Sequence, residues 1–228
     1  MSRPKQLKPG DIIWVKYNGK YFFARILMDF KDMSKRPDVA GTPFQSFITS
    51  GSYYLELFEG IYSEPMLNQK SILFNGFVYR NYFHARDFTG EDWQWYKHIP
   101  INPEQLDFPE YVTADHSKNL IFFKGELRFE TKIPAEYYEK YSSYCDCYFD
   151  FEGVIILGLV EQNRGDLIKP EDLGEDISID RILKKEKRDL RFNPELRTEI
   201  YKSLKLNPNI TYFELALKFG KDIRRFFN

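Results

Sequence analysis

Read for its apolar and polar positions, the chain opens with short β-type runs separated by turn residues and closes with capped helical segments. Asp11 to Tyr17 alternates imperfectly, whereas Lys20 to Phe30 is apolar almost without a break. The pattern predicts one strand followed by a second that is buried on both faces or strongly curled. Asn18-Gly19 lies between them, the dipeptide favoured where two central turn residues need positive φ. It predicts a tight hairpin in which Trp14-Val15-Lys16-Tyr17 pairs with Lys20-Tyr21-Phe22-Phe23, fed by a turn at Pro9-Gly10.

Further along, Lys31 to Ser52 is rich in Lys, Asp, Pro, Gly, Ser and Thr and predicts a long loop with a short strand at Phe44 to Thr49. Tyr53 to Ile61 and Ser71 to Asn81 read as strands, the latter with a bulge at Gly76. Arg86 to Glu91 is a turn, Trp93 to Ile99 is an aromatic strand ended by Pro100, and Pro103 to Tyr111 is a connection. Leu120 to Lys124 and Leu127 to Lys132 form a hairpin turned at Gly125-Glu126, and Pro134 to Tyr141 has room for one or two helical turns. Gly153 to Val160 is the most apolar stretch and predicts a central strand.

After Gln162 the pattern turns helical: Ser178 caps a basic helix from Ile179 to Leu190, and Asn193 caps a second that starts at Pro194. A third runs from Thr211, which forms a capping box with Glu214, to a stop at Gly220, and Lys221 to Phe227 adds a turn. The expected architecture is β-rich α+β: a strongly bent, SH3-like antiparallel sheet or barrel over residues 1–165, with further strands, and a helical C-terminal segment over 166–228.

Composition supports this class, since 43% of the 228 residues are hydrophobic and 18% aromatic, with 21 Phe and 16 Tyr, which favours packed sheet and excludes disorder. A formal net charge of -1 implies no bulk attraction to nucleic acid or to an anionic membrane. Charge is nevertheless uneven, with 13 Lys and Arg against 7 Asp and Glu from Ile177 to Asn228, and 20 against 27 before it. An acidic body suits a basic partner. Cys145 and Cys147 offer no disulfide framework, and neither a signal peptide nor a membrane span is legible, so a cytoplasmic protein is expected.

The candidate chemistry is sparse. His84, His98 and His116 stand 14 and 18 residues apart, without the spacing that puts two imidazoles on one helix face. Cys145-Asp146-Cys147 lacks a second ligand pair for a tetrahedral metal site. No glycine-rich phosphate cradle is present. Lys184-Lys185-Glu186-Lys187-Arg188-Asp189-Leu190-Arg191 is interrupted by acid and carries no aromatic residue, so it reads as a solvated helix face, and nucleic acid is not an expected partner. No catalytic residue, cofactor or metal ligand is assigned. A site assembled only in space, joining His84, His98 or Cys145 to a carboxylate, would be the enzymatic alternative.

Two resemblances bear on function. Lys8-Pro9-Gly10-Asp11-Ile12-Ile13-Trp14-Val15-Lys16, followed by Tyr21-Phe22-Phe23-Ala24-Arg25-Ile26, resembles the opening of chromatin-type Tudor and PWWP barrels. Tyr21-Phe22-Phe23-Ala24 stands where the second family has Pro-Trp-Trp-Pro. That resemblance implies a cage for methylated lysine held by cation–π attraction, with Trp14, Tyr17 and Phe22 as its candidate walls.

The second spans residues 5 to 135. The Lys8-to-Asp11 start, the strand ending Ala24-Arg25-Ile26-Leu27, Trp93 through Pro100, the link at Pro103 and Pro109, and Phe122-Phe123-Lys124-Gly125-Glu126 resemble the Immunity protein 26 family of bacterial polymorphic toxin systems. This resemblance implies a non-enzymatic protein that binds and blocks a cognate toxin, often a nuclease. Acidic loop groups are the natural contacts for a basic toxin. The candidates are Asp29, Asp32 and Asp38 in the long loop and Asp87, Glu91 and Asp92 near the turn that follows the fourth strand.

Overall fold

The structure, a computed structural model, describes residues 7–45, 51–68, 71–79, 93–114, 117–136, 148–149, 151–170 and 189–227. In chain order its strands are β1 (Asp11–Tyr17), β2 (Lys20–Asp29), β3 (Ser52–Phe58), β4 (Ile72–Tyr79), β5 (Trp93–His98), β6 (Glu110–Thr113), β7 (Asn119–Lys124), β8 (Leu127–Pro134) and β9 (Tyr148–Phe149). The α-helices among the described residues are α1 (Phe151–Glu161), α2 (Pro194–Leu204) and α3 (Tyr212–Lys218). The protein is β-rich α+β. Its contacts divide it into two compact units, each assembled from separated pieces of sequence: Met1–Asp32, Ile48–Ile101 and Tyr148–Leu183 in the first, and Met33–Phe47, Asn102–Cys147 and Lys184–Asn228 in the second.

The first unit is built on a sheet of order β5-β1-β2-β3-β4-β9, in which the first five strands are antiparallel and β9 runs parallel to β4. No closed barrel occurs among the described residues; the strand order is open. Asn18 and Gly19 have φ of 46° and 71°, so the β1–β2 turn forms as its chemistry dictates, with Trp14 opposite Phe23 and Tyr17 opposite Lys20.

One face of this sheet is closed by α1. Ile13, Val15, Phe22, Ala24, Leu55 and Leu57 pack in one core with Val154, Ile155, Leu157 and Leu159. The stretch expected as a central strand is therefore a helix. Residues 153–159 are all buried, and a helix buried all round reads as a continuous apolar run, which carries neither the two-residue nor the 3.6-residue period. The bulge expected at Gly76 is also displaced: Gly76 pairs regularly with Leu55, and the register shifts between Leu57 and Phe58 instead. In the loop after β2, two 3-10 turns form at Asp32–Lys35 and Pro37–Val39, and Phe44 and Gln45 are helical rather than extended.

The second unit carries the three-stranded antiparallel sheet β6-β7-β8. β7 and β8 turn at Gly125-Glu126 as expected, and β6 extends the sheet from residues read as the end of a connection. Helix α2 begins where Asn193 accepts the backbone N–H of Leu196, and Thr211 and Glu214 close the capping box of α3. Val112, Leu120, Phe122, Leu190, Leu196, Ile200 and Tyr201 form its core, with the Phe122 and Tyr201 rings edge-on at 5.5 Å. The Ser178-capped helix lies mostly outside the described residues, and from Leu190 to Phe192 the backbone is 3-10. Pro134 ends β8, and 137–147 lie outside the described residues.

Candidate functional site

The Pro-Gly turn that opens the chain is tied on three sides. The Asp11 N–H donates to the Lys8 carbonyl at 3.0 Å, and the Lys8 N–H donates back to Oδ2 of Asp11 at 3.1 Å. Gly10 donates to the Ile26 carbonyl at 2.8 Å and accepts from the Ile99 N–H at 2.8 Å, linking the turn to the run of β2 and to the end of β5. Its φ is +91°, and a Cβ there would lie 2.6 Å from the His98 ring and 2.7 Å from the Ile99 carbonyl oxygen. Glycine fits because a side chain has neither the backbone freedom nor the space.

Asp11 itself is fully buried. Its Oδ1 accepts the indole N–H of Trp95 at 3.0 Å and stands 3.1 Å from Nδ1 of His98. Trp95 is 41% exposed, and the His98 side chain is 38% exposed. A carboxylate at Nδ1 orients the imidazole ring. This corner was not foreseen from the sequence, although Gly10-Asp11 is its local signal.

The opposite face of β5, β1 and β2 is aromatic and basic. Ile12 pairs with Lys97, Ile13 with Trp95, and Tyr96 is the extra residue between them, so it joins the cluster of Ile12, Phe23 and Phe58. Around that cluster the rings of Trp14 and Tyr21 lie 5.1 Å apart, Phe23 and Tyr96 5.1 Å, and Phe23 and Tyr62 5.2 Å. Nζ of Lys16 sits 5.8 Å from the Tyr21 centroid, and that of Lys97 5.1 Å from Tyr96. Within residues 7–28 and 93–101 the sole acidic residue is the buried Asp11, whereas Lys8 and Lys16 are exposed and Lys20 and Lys97 half-buried. Arg25 is engaged by Glu56 on β3 at 2.6 Å; burial pushes the Glu56 carboxyl up against the opposing pull of Arg25.

The residues singled out from the sequence fall in different places. Trp14 belongs to this aromatic face, but Tyr17 and Phe22 are buried in the core on the α1 side, edge-on to each other at 6.4 Å. The three therefore line no common cage: alternation along a strand sends neighbouring positions to opposite faces. Asp29 is 4% exposed and accepts the Lys31 N–H at 3.0 Å, so it is a buried turn former rather than a loop contact. The reason is that β2 continues through Asp29 and the loop starts later.

Asp38 is exposed but held by Arg36 at 3.2 Å and Arg225 at 2.8 Å; hydrogen bonds from those two guanidinium groups draw its pKa down to about 2. The backbone of Asp32 opens the first 3-10 turn. Asp87, Glu91, Asp92, His84, His116, Cys145 and Cys147 lie outside the described residues. Among the described residues, no group of three or more His, Cys, Asp or Glu is placed to hold a metal ion.

In the second unit the charged residues serve architecture. Glu110 is fully buried on β6 and accepts from Lys124 at 2.9 Å, from Arg197 at 2.6 and 3.0 Å, and from the Tyr201 hydroxyl at 2.7 Å. Burial pulls its carboxyl up, but Arg197, Lys124 and Tyr201 together outweigh it and hold the group below the usual range. Burial and the adjacent Glu110 charge push the Tyr201 phenol up. A second carboxylate, Glu126, accepts two hydrogen bonds from Arg225. These pairs fasten α2 and the C-terminal turn to the sheet.

Compared with known proteins, the chain matches no family model, no curated protein and no solved structure. Among the described residues no helix is long and apolar enough to cross a membrane.

Proposed function

We propose that this chain is a non-enzymatic binding protein of the immunity type, which acts in the cytoplasm by occupying and neutralising a cognate toxin. The observation that carries the reading is the separation of charge within the first unit. Tyr148–Leu183 carries nine acidic residues against three basic ones, whereas 7–28 and 93–101 hold a single acid, and that one is buried. A nuclease toxin must be basic where it meets phosphates, so a concentrated acidic stretch speeds encounter with it and disfavours other partners.

The resemblance to the Immunity protein 26 family supports the same reading: its pieces at Lys8 to Asp11 and Trp93 to Pro100 are distant in sequence yet hydrogen-bonded at Asp11. On this reading the β1–β5 sheet corresponds to an elaborated SH3-like core. With Asp29 buried, Asp38 paired with two arginines and Asp166 paired with Arg164 at 2.8 Å, the contact carboxylate shifts to Glu161, which is exposed at the end of α1.

Co-expression with toxins encoded beside the chain tests this. The expected result is co-purification and restored growth, with association slowed by salt and by Glu161→Lys. Failure to bind or protect against any of those toxins sinks the reading.

A further inference from the structure

We infer that the face formed by β5, β1 and β2 is a binding site for single-stranded nucleic acid. Near-neutral total charge conceals it, because the acids of this unit lie elsewhere in the sequence. On the face itself Trp14, Tyr21 and Tyr96 are half-buried, held edge-on to neighbouring rings so that their orientations are fixed before any ligand arrives. Lys16 and Lys97 sit over two of these rings at 5.8 and 5.1 Å. Gln94, opposite Trp14, is exposed and offers both a donor and an acceptor.

The spacing of ring and ammonium decides the class of ligand. A base stacked beside Tyr21 or Tyr96 brings its own phosphate within reach of the lysine already over that ring, and the two ring–lysine pairs offer two such positions. An acidic peptide would engage the lysines and leave the rings unused. A duplex keeps its bases stacked inside and cannot offer them to the rings. Glu59 and Glu64, exposed on either side of Tyr62, bound the face on the β2 side and limit the strand to the β1–β5 side. The site does not depend on the immunity reading, which rests on the acidic stretch.

The test is fluorescence anisotropy of a labelled twelve-nucleotide thymidine strand titrated with the full chain at low salt. Saturable binding is expected, with Kd at least ten-fold weaker for Lys16→Glu combined with Lys97→Glu. The dependence of log Kd on log salt should become shallower by about 1.4 on losing two phosphate contacts. Lys16 is exposed and Lys97 half-buried, and an unchanged circular dichroism spectrum and Tm would show that the variant is folded. Lys184→Glu combined with Lys185→Glu, in the separate basic run, should leave Kd unchanged. The inference is overturned by absent saturation, by equal binding of duplex or of an oligoglutamate peptide, or by loss of binding in the Lys184 and Lys185 variant instead.

Discussion

The indole N–H of Trp95 donates to Oδ1 of Asp11 at 3.0 Å, across 84 residues of sequence. The Asp11 carboxylate is fully buried, so Trp95, His98 and the Lys8 N–H take the place of its hydration. β5 is thereby fastened to β1 twice, by the ladder and by this carboxylate, and the aromatic-basic face depends on both.

Replacing Asp11 should loosen β5. Asp11→Ala leaves the Trp95 and Lys8 donors without an acceptor and should cost about 2–3 kcal/mol, the range for hydrogen bonds to a charged group together with donors left unmet. Asp11→Asn keeps an oxygen for Trp95 but turns an amide toward the Lys8 N–H, so an intermediate loss is expected. Urea unfolding followed by tryptophan emission measures both; a loss below about 0.5 kcal/mol for the alanine variant would mean that the carboxylate does not hold the corner.

The adjacent glycine gives a sharper comparison. Gly10→Ala meets the Ile99 carbonyl oxygen at 2.7 Å as well as the His98 ring, whereas Gly19→Ala meets nothing within 4 Å, and both positions have positive φ. Gly19→Ala should cost about 1 kcal/mol, the backbone penalty alone. Gly10→Ala should cost clearly more, because a backbone oxygen cannot swing aside as a side chain does. Thermal unfolding of the two variants decides it, and equal losses contradict the close approach.

What was legible in the sequence was local chemistry. Asn18-Gly19, Asn193-Pro194 and Thr211 with Glu214 each dictate their own geometry within four residues, and the hairpin register and both helix starts came out as read. Gly153 to Val160 failed because an unbroken apolar run has no period to separate a buried helix from a buried strand. β6 was hidden by Pro109 immediately before it. Asp29 looked like a loop acid because nothing local marks where β2 ends. The Asp11–Trp95 and Glu110–Arg197 pairs join residues 84 and 87 apart, so Gly10-Asp11 marks one end of the first and nothing local marks the pairing.

Asp38 makes the acid limb of stability testable. Its carboxyl is held at about 2 in the folded chain against 3.8 for the free group, by Arg36 and Arg225. A depressed acid adds stability that is fully present above the unfolded value and is lost as pH falls through the folded one. The contribution should therefore disappear between about pH 4 and about pH 2. Asp38→Asn should flatten that part of a Tm-against-pH curve and leave the slope above pH 5 unchanged. Glu56, raised by burial, acts in the opposite sense and loses stability as pH rises above its unfolded value of 4.5. An Asp38→Asn curve parallel to the parent across the whole acid limb would show that the two arginines do not hold this carboxylate.

The Glu110 cluster predicts strong non-additivity. Glu110→Gln removes the charge that satisfies Lys124, which is only 2% exposed, and leaves that ammonium facing the more open Asp107 at 2.9 Å. It also deprives Arg197 of a bidentate acceptor and Tyr201 of a charged one. Because Asp107 still faces the ammonium, the loss should lie near the low end for breaking a buried pair, about 3 kcal/mol. Lys124→Met is expected to cost less, because Arg197 and Tyr201 still satisfy Glu110 and the ammonium no longer has to be desolvated. In the double variant Glu110→Gln with Lys124→Met no buried ammonium is left unmatched, so its loss should fall short of the sum of the single losses by at least about 1 kcal/mol. Denaturant unfolding of the parent, both single variants and the double variant measures this coupling, and additive losses would show that Glu110 and Lys124 do not act as a unit.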